Sequence, residues 1–315
     1  MKAEYDFSTA LPAHVFNRTP LQMLQGVFYK RDDMYTPYGV HDVNGGKVRQ
    51  AISLLYPMRE ELKSKYAGVV THTQVHSTTG TIIARVCKDL GIPCVICVGG
   101  SSPETLDNHH MMRYAKWLGA DVRNVCGTGM HGPVLARMRE IAKAENLFDA
   151  VFTHNIEHRE DAVIDSIERQ VGNLPKGLDQ LVIPVGSGVH FASVLRGLSR
   201  YQIDAKRIIG LCVGPKRTEN INKWVNPLGT GYHLPKYELH CLNTVYGKPL
   251  VETLSDGTIL DDLYEAKAHK WMRENLDITS HRTCFWVVGR RLSEAEVQNN
   301  MEGQHGNSAS TQNIL

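Results

Sequence analysis

The sequence lacks the features that assign a protein to a class at once. It has no run of about 18 apolar residues, so no membrane span is expected. Residues 1–6 lack the apolar core of a signal peptide. The seven cysteines are an odd number scattered through a long chain, which does not fit a disulfide framework. We therefore expect a protein of a reducing compartment, by default the cytoplasm.

Two widespread nucleotide-binding motifs are also missing. The glycine-rich segment at residues 184–190 reads PVGSGVH. It lacks the Gly-Lys-Ser/Thr ending of a nucleotide phosphate loop and the Gly-x-Gly-x-x-Gly spacing of a dinucleotide site. The formal net charge of +2 neither indicates nor excludes a polyanionic partner.

Cysteine and histidine patterns do not predict a metal site. Cys94 and Cys97 lie in an apolar run typical of a buried strand, where a spacing of three places them on opposite faces, as core residues. A metal hydrolase is an alternative suggested by four histidines, but His109 and His110 are adjacent on a predicted helix and diverge by about 100°. The four histidines are at positions 72, 76, 109 and 110.

Apolar, β-rich runs alternate with amphipathic helical segments along the 315 residues. The predicted strands cover residues 68–71, 93–98, 121–125, 181–185 and 208–213. The predicted helices cover residues 78–90, 106–118, 134–145, 162–171 and 191–198. This alternation predicts an α/β fold with mostly parallel sheets that bind ligands at the carboxyl ends of their strands.

The chain length predicts two domains or one large α/β unit. Residues 52–157 are predicted to form a small α/β domain inserted into a larger one, which comprises residues 1–51 and 158–297. Residues 298–315 are polar and aperiodic, so we predict a flexible tail.

Four polar segments are candidates for chemistry. Lys47 follows two glycines and opens an apolar-periodic helix, where the helix dipole and nearby cations disfavour its charged form, as a Schiff-base amine requires. A lysine at a helix start is more often simply solvated. Residues 184–190 connect a strand to a helix, so small residues and unpaired amides there can hold an anion. Many such turns are only tight connections.

The other two segments are polar helix starts. Residues 76–81, HSTTGT, offer hydroxyls for a carboxylate or merely cap a helix. Residues 260–267, LDDLYEAK, on their own are a helix start whose acidic residues complement the helix dipole.

Taken together, these segments resemble the pyridoxal-phosphate enzymes of fold type II, the tryptophan-synthase-β-like family. The closest branch is that of 1-aminocyclopropane-1-carboxylate deaminase and D-cysteine desulfhydrase. The resemblance covers roughly residues 18–290 and includes RTPL at 18–21, YKRDD at 29–33 and GGKVR at 45–49. It implies two three-layer αβα domains with mostly parallel twisted sheets and an active site in the cleft between them. It also implies a pyridoxal 5′-phosphate cofactor and a homodimer.

The resemblance also implies roles for individual residues. Lys47 would form the Schiff base and transfer protons, Ser77 and Tyr264 would act in catalysis, and Glu265 would face the ring nitrogen. The remaining cofactor-binding residues would be Thr78, Gly186, Ser187, Gly188, Val189 and His190. The substrate-binding residues would be Ser77, Thr78, Thr79, Gly80 and Tyr232.

The sequence departs from the branch mainly around the substrate. The branch's Ser-Asn-x-x-Arg is replaced by STTGT at residues 77–81, and its Thr-Gly-Gly by VVGRR at residues 287–291. Asn44 precedes the two glycines instead of following them, and His190 stands where a threonine is common. Cofactor residues are thus better kept than substrate residues.

Glu265 indicates demanding chemistry, because a carboxylate beside the ring nitrogen favours the protonated, more electron-withdrawing ring. We predict a lyase that acts on an amino acid or amino-acid-like group by decarboxylation, deamination or elimination. One alternative is a phage-type decarboxylase of aminoacyl-modified thymidine in DNA, active in the host cytoplasm, with Arg290, Arg291, Lys216 and Arg217 near phosphates. Another is a non-catalytic binding module of the same fold.

Overall fold

The computed structural model describes residues 11–151, 160–225, 234–242, 244–245 and 247–303. The strands at residues 68–72, 94–99 and 178–185 coincide with apolar runs of the sequence, because consecutive β-branched residues fit a strand that is buried on both faces. The strands are β1 (Leu21–Leu24), β2 (Val27–Arg31), β3 (Gly68–His72), β4 (Cys94–Gly99), β5 (Asp121–Cys126), β6 (Leu147–Asp149), β7 (Leu178–Val185), β8 (Ala205–Cys212), β9 (Glu238–Cys241) and β10 (Thr283–Val287).

The strands form two sheets in the described part of the chain. The larger sheet has the order β1-β2-β10-β7-β8-β9, and all its neighbouring pairs are parallel except β1–β2. The smaller sheet has the order β5-β4-β3-β6 and is parallel throughout. The predicted α/β class with mostly parallel sheets is confirmed, and parallel pairing explains the crossover helices between successive strands.

Helices follow most strands and pack on the sheets. They are α1 (Gly46–Leu55), α2 (Arg59–Lys65), α3 (Thr79–Leu90), α4 (Pro103–Asn108), α5 (His110–Trp117), α6 (His131–Ala144), α7 (Glu160–Glu168), α8 (Val189–Tyr201), α9 (Thr218–Val225), α10 (Glu265–Asn275) and α11 (Glu294–Gly303). None of the helices within the described ranges is long and apolar enough to cross a membrane.

Two helix predictions need correction. The single helix predicted over residues 106–118 is wrong, because His109 has extended backbone (φ −74°, ψ 116°) and separates α4 from α5. The flexible tail predicted from residue 298 begins too early, since residues 298–303 belong to α11. The rest of that tail lies outside the described residues.

One apolar cluster joins the two sheets. It contains Ile96 of β4, Ile183 of β7 and Leu54 of α1, all of them buried. The predicted domain boundary between residues 51 and 52 falls inside α1, and the one between residues 157 and 158 lies outside the described residues. The division into a small and a large domain therefore stays a prediction.

Cys94 and Cys97 confirm the side-chain alternation predicted for their strand. Cys94 belongs to the apolar cluster shared by the two sheets, whereas Cys97 belongs to a separate cluster with Met138 of α6. Both thiols are free and buried, so they act as core residues.

Two charged residues of the Lys-Arg-Asp-Asp segment, Lys30 and Asp32, stabilise the larger sheet. The Lys30 ammonium donates hydrogen bonds to the Thr19 carbonyl and to Asn173 Oδ1, both at 2.7 Å. The Asp32 carboxylate accepts from Thr19 Oγ1 at 2.6 Å and from Trp286 Nε1 at 2.8 Å. These buried, fully bonded charges link β2, β10 and the segment before β1.

Candidate active site

A cleft with a cavity volume of about 90 Å³ lies where the first turns of α1, α3, α8 and α10 approach the ends of β7 and β10. Helix N-termini present unpaired N–H groups and partial positive charge, so the arrangement suits an anionic ligand. The lining residues are Asn44, Lys47, Gln50, His76, Thr78, Ile82, Pro184, Val185, Gly186, Ser187, Gly188, His190, Phe191, Asp261, Tyr264, Glu265, Val288, Gly289, Arg290 and Arg291.

Lys47 is the second residue of α1 and reaches into this cleft. Its Nζ atom lies 5.8 Å from the centre of the Tyr264 ring. Burial lowers the pKa of the Lys47 amine, whereas the charges of Glu265 and Asp261 oppose that change. The predicted direction is confirmed, but burial is the cause rather than nearby cations.

The glycines before Lys47 allow the backbone at the start of α1 to approach the backbone just after β10 closely. The Gly46 amide donates a hydrogen bond of 2.8 Å to the Val288 carbonyl, just after β10. Gly45 has φ +89°, and a Cβ there would lie 2.4 Å from the Val288 oxygen. Asn44 Oδ1 accepts from the Arg290 amide at 3.0 Å. Glycine and asparagine thus attach the start of α1 to the end of β10, which positions Lys47.

The glycine-rich turn forms the N-terminus of α8. Gly188 precedes the helix with φ +96°, a conformation that favours glycine. Arg217 Nε donates to the Gly186 carbonyl and Asn220 Nδ2 to the Ser187 carbonyl, both at 3.2 Å. The first side chain lies just before α9 and the second lies within it, and together they hold the carbonyls of the turn. The amides at the start of α8 are the groups that a helix N-terminus offers to a ligand.

Tyr264 and Glu265 lie at the start of α10, and the Tyr264 ring borders this turn. A Cβ on Gly186 would lie 3.4 Å from the Tyr264 ring. Burial raises the pKa of Glu265 well above its ordinary value, Asp261 raises it further, and Lys47 opposes the change. Asp261 is also buried, and burial raises its pKa. The cleft therefore combines one amine with two carboxyl groups whose pKa values are shifted.

Asp261 accepts hydrogen bonds that position this part of the cleft wall. The sequence analysis did not predict it as a site residue. Its Oδ1 atom accepts from the amides of Leu263 and Tyr264, both at 3.0 Å, and its Oδ2 atom accepts from the Arg291 amide at 3.1 Å. The sequence pattern marked Asp261 only as a residue that complements a helix dipole. Local sequence could not predict the hydrogen bond from the Arg291 amide, because Arg291 lies thirty positions later in the chain.

The serine and threonine segment contributes less to the cleft than predicted. Thr78 lines it, whereas the structure does not place Ser77, Thr79 or Gly80 on its wall. Ser77 Oγ accepts from the Thr79 amide at 3.3 Å and donates to Thr79 Oγ1 at 3.2 Å, which forms a local turn before α3. Their roles in substrate binding, and the catalytic role of Ser77, stay predictions.

Two other predicted positions are not among the described residues of the cleft wall. Val189 is buried at the start of α8 but does not line the cleft. Tyr232 lies outside the described residues.

The arginines proposed as phosphate contacts are mostly engaged within the protein. Arg290 forms a bidentate ion pair with Glu296, with N–O distances of 2.7 and 2.8 Å. Arg291 pairs with Asp262. Lys216 is exposed, and Arg217 bonds to the glycine-rich turn as described above. The two arginines in the cleft are therefore neutralised by protein carboxylates.

The four histidines do not converge on one point. His76 Nδ1 lies 3.1 Å from His109 Nε2, and the His109 and His110 rings are stacked at 4.9 Å. His72 pairs instead with His131. Within the described ranges, no group of three or more potential ligands has the geometry of a metal site.

Gln50 is a second residue that the sequence analysis missed. It lies one helical turn after Lys47 and so on the same face of α1. Its Nε2 atom is buried, lines the cleft region and has no hydrogen-bond partner, as is true of both ring nitrogens of His190. The sequence did contain a signal for Gln50, namely its spacing of three residues from Lys47, which places both side chains on one face of a helix.

Comparison with known proteins gives a consistent result. The family model for pyridoxal-phosphate dependent enzymes matches residues 14–247. An O-seryl-dTMP PLP-dependent decarboxylase of Salmonella phage ViI is 27% identical, in an alignment that covers 88% of this chain and 82% of that protein.

Solved structures share the fold at low sequence identity. An ACC deaminase homologue superposes with a TM-score of 0.69 at 22% identity, covering 90% of this chain and 93% of that one. Threonine deaminase isoform 2 from Solanum lycopersicum gives 0.59 at 16% identity, covering 94% and 92%. The fold predicted from the resemblance is confirmed.

Proposed function

The chain belongs to the family of pyridoxal-phosphate-dependent enzymes, and we propose that it removes the α-carboxylate from an aminoacyl group carried by a thymidine nucleotide. The observation that carries this proposal is the similarity to the O-seryl-dTMP decarboxylase over most of both chains. Chemistry with this cofactor needs a free α-amine, so the amino acid must be attached to the nucleotide through its side chain.

The residues of the cleft fit the cofactor, pyridoxal 5′-phosphate. Lys47 offers a buried amine of lowered pKa, the turn at Gly186 and Gly188 offers unpaired amides for a phosphate, and Glu265 offers a carboxyl group for the ring nitrogen. When bound, the cofactor supplies a carbonyl that captures an amine and a ring that withdraws electrons from Cα.

The protein groups then hold and move protons. Glu265 stabilises a protonated ring nitrogen by its charge, and Tyr264 packs between Lys47 and the turn at Gly186. In the proposed reaction the bond between Cα and the carboxylate breaks and carbon dioxide leaves. The Lys47 ammonium would donate the proton that replaces the carboxylate on Cα and would be left as the neutral amine.

The charges of the cleft support loss of the carboxylate. Arg290 and Arg291, the arginines that line it, already pair with Glu296 and Asp262. An amino-acid carboxylate that contacts the described wall of the cleft would therefore meet arginines whose charge is already balanced by protein carboxylates. Ile82 and Phe191 add apolar surface nearby. A carboxylate that is poorly solvated and not clamped is easier to lose as neutral carbon dioxide.

The test is a reaction with two forms of substrate. A DNA oligonucleotide and a nucleoside monophosphate, each with serine attached to thymidine through its side-chain oxygen, are incubated with the enzyme. We expect the wild type, but not Lys47→Ala, to remove one carbon dioxide from the modified nucleotide. Mass spectrometry of the nucleoside detects this loss. Release of ammonia from free amino acids, with the modified nucleotides unchanged, would refute the proposal. Comparing the two forms decides whether DNA itself is the partner.

A further inference from the structure

A second cavity, with a volume of about 590 Å³, adjoins the cleft. Asp261, Arg290 and Arg291 line both cavities and so form a wall that the two share. The volume lies within the range of about 300–1,000 Å³ that is usual for ligand pockets. A group held at Lys47 can therefore belong to a larger molecule whose remainder extends past the shared wall into the second cavity.

The charged side chains that line this second cavity are paired within the protein. Arg31 forms an ion pair of 2.7 Å with Asp33, and both side chains are buried. The two shared arginines are paired with carboxylates as described above. A charged ligand group would lose hydration against such a wall without gaining an unpaired opposite charge. The cavity therefore suits a neutral polar ligand better than a phosphate.

One part of the cavity wall is apolar and held in place. Ile259 lines the cavity near Leu292, and Ile259 is 60% exposed. Arg31 holds the turn before it by donating to Asp256 Oδ2 and to Thr258 Oγ1, both at 2.9 Å. A single exposed isoleucine is common on protein surfaces. Here its side chain is fixed beside polar groups, which suits a planar ring with an apolar face and polar edges.

We propose that the second cavity binds the thymine base and the deoxyribose of the substrate, while the attached amino acid extends across the shared wall to Lys47. Thymine fits both features, since its ring and methyl group make apolar contacts and its edge offers neutral donors and acceptors. The phosphate then stays in solvent and away from Arg290 and Arg291. This inference rests on the proposed function, because it requires a nucleotide substrate.

The experiment measures binding of thymidine and of thymidine 5′-monophosphate to the full-length enzyme with its cofactor bound, by isothermal titration calorimetry. Neither ligand carries an amino acid, so no turnover occurs. We expect the two Kd values to agree within about threefold, because the charges of the described wall are already paired. Ile259→Trp should raise both Kd values by about tenfold or more, since the larger side chain fills space that the base needs.

Val251→Trp is the matched control. Val251 is 75% exposed and is not among the described lining residues of either cavity, so this variant should bind both ligands as the wild type does. Ile259→Glu is a second variant at the same exposed position and should also weaken binding of both ligands. Circular dichroism verifies that each protein is folded.

The outcomes separate the nucleoside site from the proposed reaction. Unchanged thymidine binding in both Ile259 variants would overturn the site, and so would a preference of about tenfold or more for the monophosphate. With the serine-modified nucleotide, Ile259→Trp should raise KM more than it lowers kcat, because Ile259 is remote from the reacting bonds. Thymidine binding that depends on Ile259, without release of carbon dioxide from the modified nucleotide, would refute the reaction and leave the site.

Discussion

Lys47 and Glu265 are opposite charges that share one cleft. Burial lowers the pKa of the amine and raises that of the carboxyl group, so it favours the neutral form of each, while their mutual attraction favours the charged forms. Because the two groups titrate as a coupled pair, a charge bound nearby changes the pKa values of both. Shifted acids and bases in one cleft are typical of an active site, and here they include the amine that is predicted to form the Schiff base.

Replacing Glu265 by glutamine is expected to lower kcat by about 10²–10³-fold. The amide has similar size but carries no charge to stabilise a protonated ring nitrogen. Carbon dioxide release measures kcat, and the absorbance of the bound cofactor should be retained. Glu294→Gln, at an exposed site, is the control and should keep wild-type kcat. Loss of the cofactor from the Glu265 variant would instead indicate a structural role.

At the scale of elements, the start of α1 depends on its contact with the end of β10. Gly45 combines a positive φ with a backbone oxygen 2.4 Å from where a Cβ would be. Gly39, a few residues earlier, has φ +112° but nothing within 4 Å of its Cβ position. A Cβ at residue 39 therefore adds only the strain of a positive φ, whereas a Cβ at residue 45 adds a steric clash as well.

Gly45→Ala should lower the free energy of unfolding by about 2–4 kcal/mol, whereas Gly39→Ala should lower it by about 1 kcal/mol. The difference arises because only the alanine at residue 45 pushes α1 away from Val288. Urea unfolding of both variants measures it. Equal losses of stability would mean that the contact between α1 and β10 is not tight.

The C-terminal helix α11 is held to the cleft wall by a charge pair. Glu296 accepts two hydrogen bonds from Arg290 and one from the Ser293 amide, and these bonds outweigh burial to lower its pKa to about 2. A carboxyl group with a lowered pKa in the folded protein adds stability above its unfolded pKa of about 4.3. That stability is lost as the pH falls through the folded value.

Glu296→Gln should therefore lower the free energy of unfolding at pH 7 by about 1–2 kcal/mol. The gap between the variant and the wild type should close as the pH falls from about 4.3 towards 2. Urea unfolding at pH 7, 4 and 3 measures the gap. A gap independent of pH would assign the effect to packing instead of charge.

At the scale of the whole molecule, the cleft is built from distant parts of the chain. Thr78 comes from the helix after β3 of the smaller sheet, while Lys47, Ser187 and Glu265 begin helices that pack on the larger one. A ligand that contacts all of these segments stabilises their arrangement, because it binds the folded chain and not the unfolded one.

Pyridoxal 5′-phosphate at about 100 times its Kd should raise the melting temperature by roughly 5 °C or more. The Lys47→Ala variant should gain less, since it lacks the covalent bond. Differential scanning fluorimetry measures both shifts, and pyridoxal without phosphate is the control. An equal shift with pyridoxal would show that the glycine-rich turn does not hold the phosphate.

Local signals explain which features the sequence predicted well. The alternation of strands and helices, the glycine turns and the helix starts at Lys47 and Glu265 all depend on neighbours within a few residues. The break at His109 and the helical state of residues 298–303 were missed because packing overrides weak local preference there. The His109 amide donates a hydrogen bond to the Thr105 carbonyl, four positions earlier, even though the His109 backbone is extended.

The sequence by itself determined the α/β class and the family and predicted Lys47 as the Schiff-base lysine, because periodicity and motif order are properties of adjacent residues. Only the tertiary structure decided that β10 inserts between β2 and β7, which brings Val288 against Gly45. It also decided that Asp261 and Gln50 belong to the cleft and that Arg290 and Arg291 are already paired. Such contacts join residues far apart in sequence, and burial and pairing, which set their chemistry, exist only once the chain has folded.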